Sequence, residues 1–354
     1  MAKIVPFKGI LYNPNKIHDL SDVAAPPYDV ISEQDQCYFY DCHPQNVIRL
    51  ILGKIAENDR PGNNCHTRAA TYFHQWRSEK ILVQDHAPAF YMTSVEFSSE
   101  DRTITRFGLI GLVGLEPFEK GIILPHEKTF SKVKSERLEL MKVCHTNFSP
   151  IFSLYSDQNG VLEFLKDSVA DKMPDNVFTE KRNGHQHKMW RITAPEIHRY
   201  VSESMKESRI FIADGHHRYE TALNYRDWLA AKTPDFSENH PANYVMMYLS
   251  SMEDPGVLIL PAHRMLKGVS DSLLAEFIQK AEAYFDIVRI PYSEKECSRS
   301  KSEFLSKLKS DTDRTVFGVS VKNSRDLYLL TLKPGVMKEM FGDEIPDALR
   351  NLEC

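Results

Sequence analysis

The sequence predicts a mixed α/β fold, and three observations lead to this prediction. Apolar runs with strand character alternate along the chain with stretches of helical periodicity. Their order is irregular, which favours mixed sheets (α+β) over a strict βαβ succession. A composition of 42% hydrophobic and 26% charged residues is typical of a globular protein, and 354 residues allow about two to three domains with a sizeable core.

The first predicted part, residues 1–85, is an N-terminal α/β segment that contributes to the core. Residues 3–12 (KIVPFKGILY) and 46–53 (NVIRLILG) are apolar runs of the kind found in strands. A helix is predicted after Ser32, because serine is a favourable N-cap residue. A second helix is predicted over residues 63–79, where apolar residues recur at helical spacing.

The second predicted part, residues 86–284, is a central domain. It opens with two long strand-like runs, 89–97 and 103–118, and the polar SSED turn between them indicates a hairpin. The elements predicted after this hairpin are a helix at 135–143, a strand at 149–156, a helix at 160–172, a strand at 187–192, a helix at 194–208, a strand at 209–213, a helix at 216–231, strands at 243–250 and 257–260, and a helix at 270–283.

The last predicted part, residues 285–354, is a smaller α/β segment. It contains a strand, a helix, two further strands over residues 315–321 and 326–332, and a short tail. We find neither an internal repeat nor a low-complexity linker. The boundaries near residues 85 and 285 therefore depend on the grouping of the elements alone.

Charge and cysteine content narrow the function classes. A net charge of −5 disfavours a protein whose main work is gripping nucleic acid. No run approaches the roughly 20 apolar residues that span a bilayer, and the N-terminus has no signal-peptide layout. Six scattered cysteines without a C-x-x-C pair indicate reduced thiols. We expect a cytoplasmic protein that uses neither nucleic acid nor membrane as a partner, and a homo-oligomer is left open.

The densest polar motif is D-G-H-H-R, residues 214–218, which we call the DGHHR loop. It follows the strand-like RIFIA run and precedes an amphipathic helix, so it lies at a strand-to-helix junction. Unpaired amides and the helix dipole make such a junction an anion site. Gly215 would let an anion approach the backbone, Arg218 offers a planar fork for phosphate, and His216 and His217 point to different sides. The motif predicts a phosphate site.

Two other interpretations of the DGHHR loop remain. In the first, Asp214 caps the helix and both histidines are solvated at a surface turn. In the second, Asp214 and one histidine are metal ligands, which would require further ligands from elsewhere in the chain.

The second motif is P-H-E-K-T, residues 125–129, which we call the PHEKT loop. Glu127 could bind Mg²⁺ or act as a general base toward a hydroxyl group, and Lys128 could neutralise phosphate charge. His126 and Thr129 add hydrogen-bonding groups for phosphate. This set of residues suits phosphoryl transfer. A solvated loop with a local ion pair is the alternative.

Three further groups of residues are candidates. PPYDV carries Tyr28 and Asp29 on a stiff proline turn, and Asp29 could be a base, although ordinary turn chemistry explains it as well. Arg49 interrupts an apolar run and could be paired, face solvent or reach an anion. His263 and Arg264 follow the 257–260 run, and they are either phosphate ligands or part of a solvated turn.

Seven stretches together resemble the bacterial and archaeal family known as domain of unknown function 1015. They are PPYDVIS, NVIRLILGK, LPHEKTFSK, NFSPIFSLYSD, IADGHHRYETALNYRD, NYVMMYLSSMEDPG and ILPAHRML. The resemblance runs from the first residues to about residue 350. It also marks Asn147 and Ser149 as candidate substrate-binding residues. The sequence ends at DALRNLEC, before the P-x-K-S-T-Y-F block of the family, so we expect part of the family's site to be absent.

Members of that family are often labelled ParB-like, and the DGHHR loop is similar to the signature loop of the ParB and sulfiredoxin superfamily. This resemblance implies a nucleotide-binding core with large insertions, in which the loop holds nucleotide phosphates. The superfamily includes CTP-binding partition proteins, ATP-dependent sulfiredoxins and free-serine kinases.

These observations lead to a functional hypothesis. The Walker-type P-loop, the dinucleotide G-x-G-x-x-G, H-E-x-x-H and G-x-S-x-G are all missing from the sequence. We therefore expect a kinase-like phosphotransferase that uses Mg²⁺ with ATP or ADP and a small hydroxyl compound, with free serine as one candidate. Residues 215–218 would hold the phosphates. Glu127, Asp29, Asp214 and His216 are the candidate catalytic residues, with Glu127 and Asp214 as metal ligands. A ParB-like regulator without chemistry and a phosphate-ester hydrolase are the alternatives.

Overall fold

The fold is described from a computed structural model over residues 1–99, 102–127, 131–259, 263–292, 297–310, 314–322 and 324–341. The chain divides into two compact units, Met1–Leu258 and Ile259–Cys354. The boundaries predicted near residues 85 and 285 lie inside these units, and the three-part division stays a prediction.

The first unit confirms the predicted mixed α/β class. Its strands and helices, in chain order, are β1 Ile4–Val5, β2 Ile10–Tyr12, α1 Glu33–Cys42, α2 Ile48–Ile51, α3 Cys65–Ser78, β3 Leu82–Gln84, β4 Phe90–Ser99, β5 Arg102–Gly114, β6 Ile123–Leu124, α4 Ser131–Cys144, β7 Ile151–Tyr155, α5 Val161–Val169, β8 Asn176–Thr179, β9 Gln186–Ile192, α6 Pro195–Ser204, β10 Ile210–Asp214, α7 His216–Ala230 and β11 Tyr244–Ser251.

A mixed sheet organises the first unit. Among the described residues it has nine strands, in the order β6-β10-β7-β11-β5-β4-β9-β8, with β1 beside β5. The β10/β6 and β11/β7 pairs are parallel and the other pairs are antiparallel. The predicted hairpin is confirmed as the β4/β5 pair. Strands β2 and β3 form a separate antiparallel pair.

The two faces of this sheet differ because successive strand residues point to opposite sides. One face carries the main core, in which Phe90, Met92, Leu109, Val113 and Met247 are buried together with residues of α5 and α6. The alternate residues of the same strands, among them Tyr91, Thr93, Ile110, Met246 and Tyr248, line a large cavity. One face of the sheet is therefore packed against the main core, whereas the other face borders a cavity large enough for a ligand.

Capping residues explain where two N-terminal helices begin. Ser32 accepts a hydrogen bond from the amide of Asp35, whose carboxylate accepts one from the amide of Ser32, and this capping box starts α1 at the predicted place. Asn64 and Thr67 form a second capping box at the start of α3. Both caps satisfy amides that a helix end leaves unpaired.

The second unit contains α8 Asp271–Ala281, β12 Phe285–Pro291, α9 Cys297–Ser310, β13 Val316–Ser320, β14 Asp326–Leu332 and α10 Val336–Phe341. The three strands form an antiparallel sheet in the order β12-β14-β13. The central strand buries alternate residues on its two faces. Tyr328 and Leu330 cluster with Ala281 of α8, whereas Leu327 and Leu329 cluster with Phe304 of α9.

Several predicted elements are wrong. Residues 46–53 do not form a strand, because Ile48–Ile51 form a short helix in which three of the four residues are buried. A short apolar run that is buried all round has no period that separates a helix from a strand. The run 3–12 is divided at Pro6 into β1 and β2. Residues 257–259 form no strand, and residue 260 lies outside the described residues.

The short strands β3, β6 and β8 were not predicted, because each has only two to four residues. No helix in the described parts of the chain is long and apolar enough to cross a membrane. The described cysteines Cys37, Cys42, Cys65 and Cys144 are free thiols.

A buried carboxylate fixes the backbone of β5 beside Arg106, which lines the cavity. Asp254, which is 3% exposed, accepts hydrogen bonds from the amides of Phe107 at 2.7 Å and Gly256 at 2.8 Å. Gly256 lies so close to β5 that an added Cβ would be 2.3 Å from the carbonyl oxygen of Thr105. The segment after β11 is thereby tied to β5 next to Arg106.

Replacement of Asp254 tests this contact. We expect Asp254→Ala to lower the free energy of unfolding by about 2–5 kcal/mol, because one buried and one partly buried amide lose their acceptor. Asp254→Asn should cost less, since its side chain keeps one acceptor oxygen. Urea unfolding measures both, with the exposed Asp235→Ala as the control. Equal, small losses in all three variants would contradict the role given to Asp254.

Candidate functional site

The sequence motifs meet around the N-terminus of α7. Strand β10 ends at Asp214 with a register shift against β7 between Ile212 and Asp214, and α7 begins at His216. Gly215 is the N-cap residue, has a φ of +103° and provides no side-chain cap. The positive end of the helix dipole therefore lies beside Asp214, as expected for a site that attracts negative charge.

Arg218 turns back over the start of its own helix. Its Nη1 donates a hydrogen bond to the carbonyl oxygen of Pro150, and its Nη2 pairs with the carboxylate of Asp214. An added Cβ on Gly215 would lie 2.8 Å from Nε of Arg218. Gly215 therefore accommodates the guanidinium group as well as the left-handed backbone. The Arg218 side chain is 11% exposed and that of Asp214 is 51% exposed.

His126 and Glu127 of the PHEKT loop lie against His216. The amide of His126 donates a hydrogen bond to Nε2 of His216 at 3.2 Å, and the two rings pack edge to face. The Nδ1 atom of His216 is 3.1 Å from Oε1 of Glu127. This distance is short enough for an ion pair, but the two groups are not aligned for a hydrogen bond. Since Nε2 of His216 is an acceptor, its neutral ring carries the proton on Nδ1, facing Glu127.

Burial favours the neutral form of His216. It lowers the pKa of this side chain, which is 1% exposed, and the adjacent His126 lowers the pKa further, whereas Glu127 and Asp214 act in the opposite direction. The Nδ1 atom of His126 donates to the carbonyl oxygen of Ile212 at 2.8 Å. This bond fixes the exposed His126 ring, and in the neutral ring Nε2 is then the acceptor atom.

His126, Glu127 and His216 could also hold a metal ion, because their ligand atoms lie within 4.8 Å of one another. Two imidazoles and one carboxylate suit zinc or another transition metal better than Mg²⁺, which prefers oxygen ligands. Binding through Nδ1 of His216 would shift its proton to Nε2, which faces the amide of His126. A metal at this place therefore requires a local rearrangement. Asp214 is not part of this group.

The PPYDV turn reaches the same place. Residues 28–30 form a turn of 3-10 helix, in which Asp29 is exposed. Burial raises the pKa of Tyr28. The nearby positive charges of Arg137 and Arg218 lower this pKa, and the negative charge of Asp214 raises it. The guanidinium group of Arg137, on α4, lies 4.0 Å from the ring centre of Tyr28 and donates to the carbonyl oxygen of Ile51 at 2.7 Å.

Asp214 and Arg218 lie on the wall of a cavity of about 1280 Å³. This volume exceeds the roughly 300–1,000 Å³ of most small-molecule sites. The cavity lies against the open face of the sheet, and residues of the N-terminal segment and of α7 complete its wall. Asn147 and Ser149 are among its lining residues. The site at the start of α7 is thus continuous with a space that can hold a sizeable ligand.

The charges on the cavity wall favour an anion. Lys8, Arg106, Lys188 and Arg218 line the cavity, whereas Asp214 is the one carboxylate among its described lining residues. Because Asp214 pairs with Arg218, the positive charges of the other three are not balanced within the lining. An anionic ligand would supply the missing negative charge.

The other candidates lie elsewhere or outside the described residues. Arg49 donates to the carbonyl oxygens of Tyr40 and His43 and stacks on the Tyr40 ring, so in this position it ties α1 to α2. His263 and Arg264 belong to the second unit. Lys128 and Thr129 lie outside the described residues, and His217 is half-buried in the first turn of α7.

Sequence reasoning missed three polar residues, namely Arg106, Arg137 and Tyr248. Arg106 and Tyr248 lie in strands where a polar or aromatic residue at alternate positions is ordinary. Arg137 lies in a charged helix, where nothing in the sequence distinguishes it from its neighbours. No signal in a single sequence could have identified them, since Arg106 and Tyr248 matter through their place on the cavity wall and Arg137 through its contact with Tyr28.

Comparison with known proteins gives one match. The family model described as "Protein of unknown function (DUF1015)" matches residues 4–353. No curated protein and no solved structure matches the chain. The matched range includes all the residues gathered at the start of α7.

Replacement of Gly215 tests the packing of Arg218. Gly215→Ala should cost about 1–3 kcal/mol more than Gly121→Ala, because both glycines have a positive φ but only Gly215 has neighbouring atoms within 4 Å of the added methyl group. Urea unfolding measures the difference. In an Arg218→Ala background the excess should disappear, as a double-mutant cycle would show. An excess that persists there would rule out the guanidinium group as its cause.

Proposed function

The chain belongs to the DUF1015 family, and we propose that it is a nucleotide-dependent phosphotransferase that acts on the hydroxyl group of a small metabolite. One observation carries the proposal. The start of α7 brings Arg218, Asp214, His126 and Glu127 to one place, and two of these residues line a large cavity with an excess of positive charge. A ParB-like nucleotide core, as the resemblance implies, is part of the proposal.

The nucleotide phosphates would bind at the start of α7. The first turn of a helix offers backbone amides and a favourable dipole, and Gly215 provides no side-chain cap for them. The Nε atom of Arg218 is enclosed over Gly215, so the donor that a phosphate would take is Nη2, which pairs with Asp214. A phosphate oxygen could replace the exposed Asp214 carboxylate as the partner of Arg218.

The proton of the acceptor hydroxyl needs a base. As the hydroxyl oxygen forms its bond to the terminal phosphorus, the bond from that phosphorus to the leaving nucleotide oxygen breaks, and the proton passes to the base. The Nε2 atom of His126 suits this role, because the bond from Nδ1 to Ile212 orients the ring. Glu127, Asp29 and Asp214 remain the carboxylate candidates. Mg²⁺ would neutralise phosphate charge when bound.

Free serine is the simplest hydroxyl acceptor to test first. A second function, hydrolysis of a phosphate ester, is favoured by one observation. After a local rearrangement, the ligand atoms of His126, Glu127 and His216 could hold a transition metal, which would lower the pKa of a bound water molecule. A ParB-like regulator is the third alternative, and it would bind a nucleotide without turning it over.

Ligand binding gives the first test. Thermal unfolding is followed with ATP, ADP, CTP or pyrophosphate, each with Mg²⁺, and phosphate transfer to serine and other hydroxy acids is then assayed. A ligand at about 100 times its Kd should add about 2.7 kcal/mol to the free energy of unfolding. Stabilisation without transfer or hydrolysis would favour the regulator, and release of phosphate from esters alone would favour the hydrolase. No stabilisation by any of the four would refute the proposal.

Two variants separate binding from chemistry. Arg218→Gln should weaken nucleotide binding about tenfold or more, because it removes a charge-assisted hydrogen bond. Glu127→Gln should leave nucleotide binding unchanged and reduce phosphate transfer, because Glu127 is a carboxylate candidate for the base. Arg226→Gln, further along α7, and the exposed Glu119→Gln are the matched controls. Parallel losses of binding and transfer in both site variants would show that the division of roles is wrong.

A further inference from the structure

The cavity face of the sheet presents a continuous row of side chains that begins at Asp214. Asp214 is paired in register with Phe152, Phe152 with Tyr248, Tyr248 with Ile110, and Ile110 with Tyr91. Residues opposite one another on neighbouring strands share a face, and all five line the cavity. A surface of aromatic and aliphatic side chains therefore leads away from the start of α7.

Arg106 lies over this apolar surface. Its guanidinium carbon is 5.1 Å from the ring centre of Phe152 and 5.7 Å from that of Tyr248. Its Nε atom is buried and has no hydrogen-bond partner among the described residues, and the same holds for the hydroxyl oxygen of Tyr248. Buried polar atoms of this kind cost free energy unless a partner satisfies them. Two such atoms at the same place mark a polar point on an otherwise apolar surface.

The position of Arg106 is built into the fold. Asp254 fixes the adjacent residue, Phe107, through its amide, and Gly256 packs against the Arg106 backbone. Gly108 has no side chain, and an added Cβ there would lie 2.1 Å from the Tyr248 ring. Burial raises the pKa of Tyr248 and favours its protonated hydroxyl group, whereas the charge of Arg106 and polar contacts with Arg106 and Thr93 lower this pKa. A cation and a donor thus face the cavity at a fixed place.

We propose that the cavity binds an organic anion with an apolar body, whose carboxylate is held at Arg106 and Tyr248 while the body extends past Phe152 toward Asp214. As a statement about the acceptor, this inference rests on the proposed phosphotransferase, and it makes the acceptor an apolar hydroxy acid. A carboxylate matches the planar donor fork of arginine and the excess of positive charge on the cavity wall.

The spacing of the strands sets the length of this anion. The strands carrying Asp214 and Tyr248 are two positions apart in the sheet, which corresponds to about 10 Å. The carboxylate and hydroxyl group of serine are separated by only two carbon atoms, so serine is too short to span this distance. A chain of several methylene groups or an aromatic ring between the two groups fits the distance and the apolar wall.

Calorimetric titration without nucleotide tests the inference separately from the proposed function. The probes are omega-hydroxyoctanoate, the neutral diol of the same chain length, and serine. We expect the hydroxy acid to bind at least about tenfold more tightly than the diol, because a charge-assisted hydrogen bond is available only to the acid. Equal affinity of acid and diol, or no binding of the acid, would overturn the inference on the unaltered protein.

Variants then locate the carboxylate. Arg106→Gln should weaken binding of the acid about tenfold or more and leave the diol unchanged, whereas Tyr248→Phe should cause a smaller loss. Arg102→Gln, at the exposed end of the same strand, is the matched control. Unchanged affinity in Arg106→Gln would refute the assignment. So would displacement of the acid by adenosine together with weaker adenosine binding in Arg106→Gln, since the surface would then hold the nucleotide base.

Phosphate transfer and anion binding fail independently. If nucleotides stabilise the protein but the hydroxy acid does not bind, the inference is wrong and the phosphotransferase proposal stands. If the acid binds with the expected dependence on Arg106 but no nucleotide binds, the cavity assignment stands and the phosphotransferase proposal is wrong.

Discussion

The guanidinium group of Arg218 joins the three segments on which the candidate site depends. It bonds to the carbonyl oxygen of Pro150 just before β7, pairs with Asp214 at the end of β10, and packs over Gly215 at the start of α7. Because the group is almost fully buried, loss of either partner would leave a desolvated positive charge. The strand-to-helix junction therefore keeps its shape only while these contacts are made, and a phosphate that took the place of Asp214 would have to preserve the balance of charge.

The same junction brings candidate catalytic side chains next to a cavity that can hold a ligand. His126 and Glu127 reach it from the PHEKT loop, and Tyr28 reaches it from the N-terminal segment. Beyond it extends a cavity whose wall contains aromatic rings and four cationic side chains. Apolar lining with a few fixed polar groups is the usual character of a small-molecule site, because burial supplies affinity and the polar groups supply orientation. Both proposals follow from this arrangement.

The sequence predicted the local features of the site well and its long-range features poorly. The strand, turn and helix around Asp214 and Gly215 could be predicted because turn residues and helical spacing are local signals, and the same is true of the helix after Ser32. The partner of Arg218 could not, since it is a backbone oxygen 68 residues away that carries no signature. The apolar run around Arg49 was wrongly predicted as a strand, because a short buried apolar run fits a helix and a strand equally.

Along β4, β5 and β11, successive side chains alternate between the core face and the cavity face of the sheet, so adjacent residues have different roles. Met92, Leu109 and Met247 fill the dry core, and substitutions there would leave voids that the tightly packed interior cannot close. Their neighbours Thr93, Ile110 and Tyr248 face open space, where a change of size alters the shape of the cavity with less disturbance of the packing. Substitutions on the cavity face could therefore change ligand preference one position at a time while the residues of the core stay the same. Related proteins with this sheet could in this way bind different ligands and keep the same fold.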